Sequence, residues 1–161
     1  MTQVRIISTN DNSLPPVFVF PPICCDKLRM MAGTVHGVIG RAYESGWMAT
    51  ENFVLVQIFF KDNVRCDNEH SVLLLTHNHD SHLSLDLQRV SFFRGHGITI
   101  LTLSPHTSNY LQYLYRCVFG QFKKYYSQLM DVHHSSETLS IYSVPELSSK
   151  AWDRAATPEN V

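Results

Sequence analysis

Val72-Leu73-Leu74-Leu75-Thr76-His77-Asn78-His79-Asp80-Ser81-His82 is the stretch that organises the chain. A polar segment gives way to four apolar residues, and these end in a loop dense in imidazole. An uninterrupted apolar run of this length predicts a strand buried on both faces, as in a parallel sheet covered by helices. A loop at the end of such a strand aims several side chains at one place, so candidate chemistry starts at His77.

Downstream, residues 84–94 predict a helix closed by Gly95. Ile98-Thr99-Ile100-Leu101-Thr102-Leu103 predicts another strand, stopped before Pro105. Val118, Phe122, Tyr125 and Leu129 recur at helical spacing, which predicts an amphipathic helix over about residues 117–130. The tail predicts a strand at Leu139-Ser140-Ile141-Tyr142 and a short helix over residues 146–154. Upstream, Phe53 to Phe60 is apolar nearly all round, compatible with a buried strand or a buried helix. Thr50 as a cap and Glu51 in the first turn decide for a helix. Residues 23–45, with Gly33, Gly37 and Gly40, show weak patterning and predict a loop. Val17-Phe18-Val19-Phe20 predicts a short strand fenced by Pro15-Pro16 and Pro21-Pro22, because proline cannot donate to a ladder. Val4-Arg5-Ile6-Ile7-Ser8 predicts a strand, and Asn10-Asp11-Asn12-Ser13 a turn. The order β-β-α-β-α-β-α predicts an α/β sheet with a hairpin at one side.

The chain has 161 residues, 44% apolar and 17% charged, an ordinary globular mixture sized for one modest domain. Its net charge of −1 provides no global basic field, although a local basic patch is compatible with it. Cys24, Cys25, Cys66 and Cys117 form no C-x-x-C pair and are expected to be free thiols in a reducing compartment. The first residues lack the basic and apolar regions of a signal peptide, and no apolar run approaches ~18 residues. The expectation is a soluble intracellular protein with no membrane partner.

Thr76-His77-Asn78-His79-Asp80-Ser81-His82 resembles the T-H-x-H-x-D-H signature of metallo-β-lactamase-fold hydrolases. Imidazoles at a strand end are good zinc ligands, and a zinc-bound water becomes a nucleophile near neutral pH. Ser81, however, stands where that signature has a metal-binding Asp. Leu83-Ser84-Leu85 supplies no glycine-rich turn, and the chain is short for a duplicated sandwich. A zinc hydrolase is therefore the third of three functional readings, and no metal site is assigned.

More of the chain follows a second pattern. It runs through Leu14-Pro15-Pro16-Val17-Phe18-Val19-Phe20-Pro21, Glu44-Ser45-Gly46-Trp47-Met48-Ala49-Thr50-Glu51-Asn52-Phe53, and residues 72–82. It continues through Leu101-Thr102-Leu103-Ser104-Pro105-His106-Thr107-Ser108, Leu111-Gln112-Tyr113-Leu114-Tyr115, and Val118-Phe119-Gly120-Gln121-Phe122-Lys123-Lys124-Tyr125-Tyr126. The last match is Ala151-Trp152-Asp153-Arg154-Ala155-Ala156-Thr157-Pro158-Glu159-Asn160. These seven segments, in this order, resemble the DDE superfamily endonuclease domain of pogo, Tigger and jerky transposases, the group that includes centromere protein B. The resemblance implies a ribonuclease H-like mixed sheet flanked by helices. It also implies one partial DDE core over residues 1–161, with 131–161 as a C-terminal extension, and a nuclear protein of transposable-element origin.

In that family three carboxylates hold two Mg²⁺ or Mn²⁺ ions that activate the attacking oxygen and stabilise the leaving oxygen at a phosphodiester. The family's strand-end motif reads L-L-D-N-H-x-S-H, and His77 stands where its metal-binding Asp belongs. Its later motif reads L-Q-P-L-D; Tyr115 stands at the Asp and Tyr113 at the Pro. The first Asp lies on a central strand that precedes the hairpin, and the chain is expected to lack it. Hard ions of this class take oxygen ligands, and a phenol keeps its proton at neutral pH. The expectation is a pseudoenzyme without catalysis or cofactor, in which His77 and Tyr115 lie close together. His79 and His82 match the family motif as loop-shaping residues, and His106 orders the turn after its strand. Trp47 and Trp152 are expected core anchors. A domesticated nucleic-acid-binding module is the second reading, with Arg116, Lys123 and Lys124 as its phosphate contacts and weak DNA binding as its expected activity. For the two lysines the ordinary alternative is a solvated helix face.

Overall fold

β1 (Thr2–Ile7) and β2 (Ser13–Phe20) form an antiparallel hairpin. The computed structural model describes residues 1–10, 12–22, 26–77, 87–136 and 138–157. Pro21-Pro22 ends β2 as expected, but Pro15-Pro16 does not fence it, because the strand runs through them. Val4 lies opposite Val17 and Ile6 opposite Leu14, so β2 spends one extra residue there. Such a bulge leaves a residue out of the ladder, which is where a proline without an N–H fits a strand.

β2 is the most enclosed strand of the chain. Val17, Phe18, Val19 and Phe20 are all buried, and the stacked rings of Phe18 and Phe20 lie 5.9 Å apart. Residues 23–45 are not all loop. α1 (Lys27–Met31) is one short turn, capped by the Asp26 carboxylate accepting from the amides of Leu28 and Arg29. β3 (Ile39–Ala42) then runs parallel to β2, giving a three-stranded sheet in the order β1-β2-β3. Both elements depend on partners distant in sequence: Met30 packs with Phe18 and Phe20, and β3 exists through its ladder to β2. For α1 the local signal is Asp26 followed by five helix formers, Lys27 to Met31; β3 has no comparable local signal.

Two compact units divide the chain, one of residues 1–47 and 113–161, the other of residues 48–112. The sheet just described belongs to the first. In that unit a π-helical turn, Leu114–Val118, leads into α5 (Phe119–Ser136), which packs on α6 (Ser143–Ala155). Val118 and Phe122 on one helix meet Ala151, Trp152 and Ala155 on the other. Trp152 is 1% exposed, with Phe122 and Phe119 edge-on or tilted at 6.1 and 6.3 Å. The expected strand at Leu139–Tyr142 is absent. Ser140 and Ile141 carbonyls accept from the Ser143 and Val144 amides in a turn that opens α6. Ile141 and Tyr142 pack instead against the Phe18–Phe20–Met30 cluster, and Arg29 lies 4.4 Å over the Tyr142 ring.

The hairpin is joined to α6 by a buried cation. The Arg5 guanidinium lies 4.7 Å over Trp152, 5.6 Å from Phe122 and 5.7 Å from Phe18. Its Nη2 donates to Gln3 Oε1, to the Ser148 carbonyl and to Ser148 Oγ. Burial lowers its pKa to about 9, partly offset by the Asp153 carboxylate. Three aromatic faces and three acceptors at Nη2 offset part of the cost of burying this charge, while Nε and Nη1 are buried without a hydrogen-bond partner among the described residues.

The second unit holds α2 (Thr50–Asn63), β4 (Val72–Thr76), α3 (Leu87–Gly95), β5 (Ile98–Thr102) and the short α4 (Ser108–Leu111). Thr50 is the first helical residue of α2, not its cap. Ala49, in extended conformation, occupies the cap position without a side-chain bond, and its carbonyl accepts from the Phe53 amide. Asn52, Phe53, Val56, Gln57 and Phe60 form the buried stripe. β4 and β5 pair in parallel, Val72 with Ile98 through Thr76 with Thr102. The expectation of a strand buried on both faces fails. Leu73 is 57% and Leu75 56% exposed, alternating with half-buried Val72, Leu74 and Thr76. A continuous apolar run does not reveal whether both faces are covered; here one is open. Gly97, at φ +71°, closes this unit's tightest approach, since a Cβ there would run into the Asp67 carbonyl.

Of the two tryptophans, only Trp152 anchors a core. Trp47 is 70% exposed, beside the turn that Gly46 (φ +68°) makes against Pro21. Among the described residues, no helix is long and apolar enough to cross a membrane. The architecture is mixed α/β, with small sheets flanked by helices.

Candidate functional site

β4 carries the first candidate to its position. Its ladder to β5 ends at Thr76 opposite Thr102, where the two hydroxyls lie 3.4 Å apart. His77 follows at once, half-buried, at the carboxyl end of the strand. Carboxyl ends of parallel strands are where open α/β sheets place their ligand-binding residues. His79, Asp80 and His82 lie outside the described residues, so the zinc-like histidine set is not seen as a set. Residue 106, proposed to order the turn after β5, is in the left-handed region at φ 60°. There the Thr107 hydroxyl donates to the Ser104 carbonyl at 2.6 Å.

Tyr115 sits in the other unit, in the π-helical turn that precedes α5. It is 49% exposed, and its ring meets Phe119 edge-on at 5.0 Å. A π-turn interrupts regular helix geometry and often marks functional positions. Tyr113, just before it, is also exposed. Arg116 follows in the same turn, and Lys123 and Lys124 lie on the first turns of α5; all three are exposed. Val118, Phe122 and Leu129 point the opposite way, into the packing with α6. None of the three cations forms an ion pair with another described residue. The helix thus presents an apolar side to α6 and, opposite it, a polar side that carries Lys123 and Lys124 beside Ser127, Gln128 and Asp131.

Among the described residues, no three His, Cys, Asp or Glu side chains converge as metal ligands. A carboxylate held by several hydrogen bonds lies elsewhere among the described residues. Asp67 accepts from the backbone amides of His70 and Glu69 and from the His70 ring, which holds its pKa below the usual carboxylate value. It stabilises its own turn and is wholly exposed. Burial pushes the neighbouring Cys66 thiol upward, away from the reactive thiolate form. In the sequence Arg5 is one residue of an alternating strand. The only signal for it was a cation on the face of β1 that shares the inward side with Ile7.

Residues 3–155 match the DDE superfamily endonuclease family. The match spans nearly the whole chain, and the chain belongs to that family. No curated protein and no solved structure matches it.

Proposed function

We propose that the chain is a transposase-derived DDE domain of the pogo, Tigger and jerky group that does not cut DNA, with a ribonuclease H-like sheet as its ancestral frame and the nucleus as its compartment. One observation supports this above the rest: the two positions where family carboxylates are expected carry His77 and Tyr115. One lies at the carboxyl end of β4 and the other in the turn that enters α5. An imidazole nitrogen is a poor ligand for Mg²⁺, and a protonated phenol is a weak one. The donor set does not fit the pair of divalent ions that the family's chemistry needs, and no step through such ions is derived. The test is nicking of supercoiled plasmid by the purified chain with Mg²⁺ or Mn²⁺. No nicking is expected. Metal-dependent nicking that co-purifies with the chain and disappears in His77→Ala or Tyr115→Phe overturns the proposal.

Arg116, Lys123 and Lys124 favour a second reading, a domesticated nucleic-acid-binding module. They are exposed, carry no ion pair with a described residue and share one helical segment. Binding through them is weak and salt-sensitive, because the net charge of −1 supplies no long-range attraction. Fluorescence anisotropy with a DNA duplex across a salt series checks this. Each phosphate contact contributes about 0.9 to the log–log slope, so the double variant Lys123→Ala/Lys124→Ala lowers the slope by about 1.8. An unchanged slope assigns these lysines to an ordinary solvated helix face.

A further inference from the structure

We draw no further inference here: the strongest candidate, the exposed apolar face of the two-stranded β4–β5 sheet formed by Leu73, Leu75 and Leu101, carries none, because nothing in the structure shows what covers it.

Discussion

The two units of this chain use their apolar residues in opposite ways. In residues 1–47 and 113–161, β2 is enclosed on both faces, and α5 and α6 close around Phe122 and Trp152. In residues 48–112, the two-stranded sheet leaves Leu73, Leu75 and Leu101 about half exposed on one face. The difference comes from geometry more than composition. A strand paired on both sides takes Pro16 to Phe20 out of water, whereas two parallel strands alone form the smallest of sheets and have marginal independent stability. His77 projects from the thinner unit and Tyr115 from the thicker. The residues at the two proposed acid positions therefore belong to units that bury their apolar side chains to different extents.

The largest test of this contrast is a pair of truncations. Trp152→Ala removes a fully buried indole and is expected to cost about 3–5 kcal/mol, a large share of the roughly 5–15 kcal/mol that holds a domain folded. Leu101→Ala, at a half-exposed site, is expected to cost less than about 1 kcal/mol. Urea denaturation of both variants reads the difference directly. Equal losses would mean that the open face of β4–β5 is covered in solution and that the contrast is wrong.

Hydrogen exchange sharpens the same comparison at the level of the backbone. Amides of β2, at the centre of their sheet, are expected to open only with global unfolding. Those of β4 open locally, at a cost lower by about 1.4 kcal/mol or more, which is at least tenfold faster exchange. Protection of Val72–Thr76 equal to that of Val17–Phe20 would show one cooperative structure in place of a firm unit and a loose one.

How much was legible in the sequence follows from how local each signal is. The hairpin, β5 and the helix pair at the end of the chain were readable because period-2 alternation and helical spacing sit within a dozen residues; α2 was reached instead through Thr50 as a cap, a position that Ala49 in fact holds. Pro15-Pro16 misled, since a bulge seen only in the pairing register lets the strand pass through them. α1 and β3 were missed because Met30 and Ile39–Ala42 are ordered by contact with β2. Leu139–Tyr142 looked like a strand, but Ile141 and Tyr142 pack onto the Phe18 cluster, with Tyr142 under Arg29, and the stretch has no ladder partner. Trp47 shows that size alone does not place a ring in a core. For the candidate site, His77 and Tyr115 were proposed from motif order, which the fold alone does not test; periodicity put Lys123 and Lys124 on the polar side of their helix, where they are exposed, whereas Arg116 precedes the expected helix. The buried Arg5 was not legible, because its aromatic partners Phe18, Phe122 and Trp152 are scattered across the chain.

The central proposal is that His77 and Tyr115, at the proposed acid positions, do not serve as ligands of a divalent metal. Titration of Mn²⁺ into the purified chain, followed by electron paramagnetic resonance of the free ion, tests it most directly. The expected result is no saturable site at micromolar to low-millimolar Mn²⁺, with His77→Ala and Tyr115→Phe indistinguishable from the parent. A stoichiometric site in that range that is lost in both variants would contradict the account.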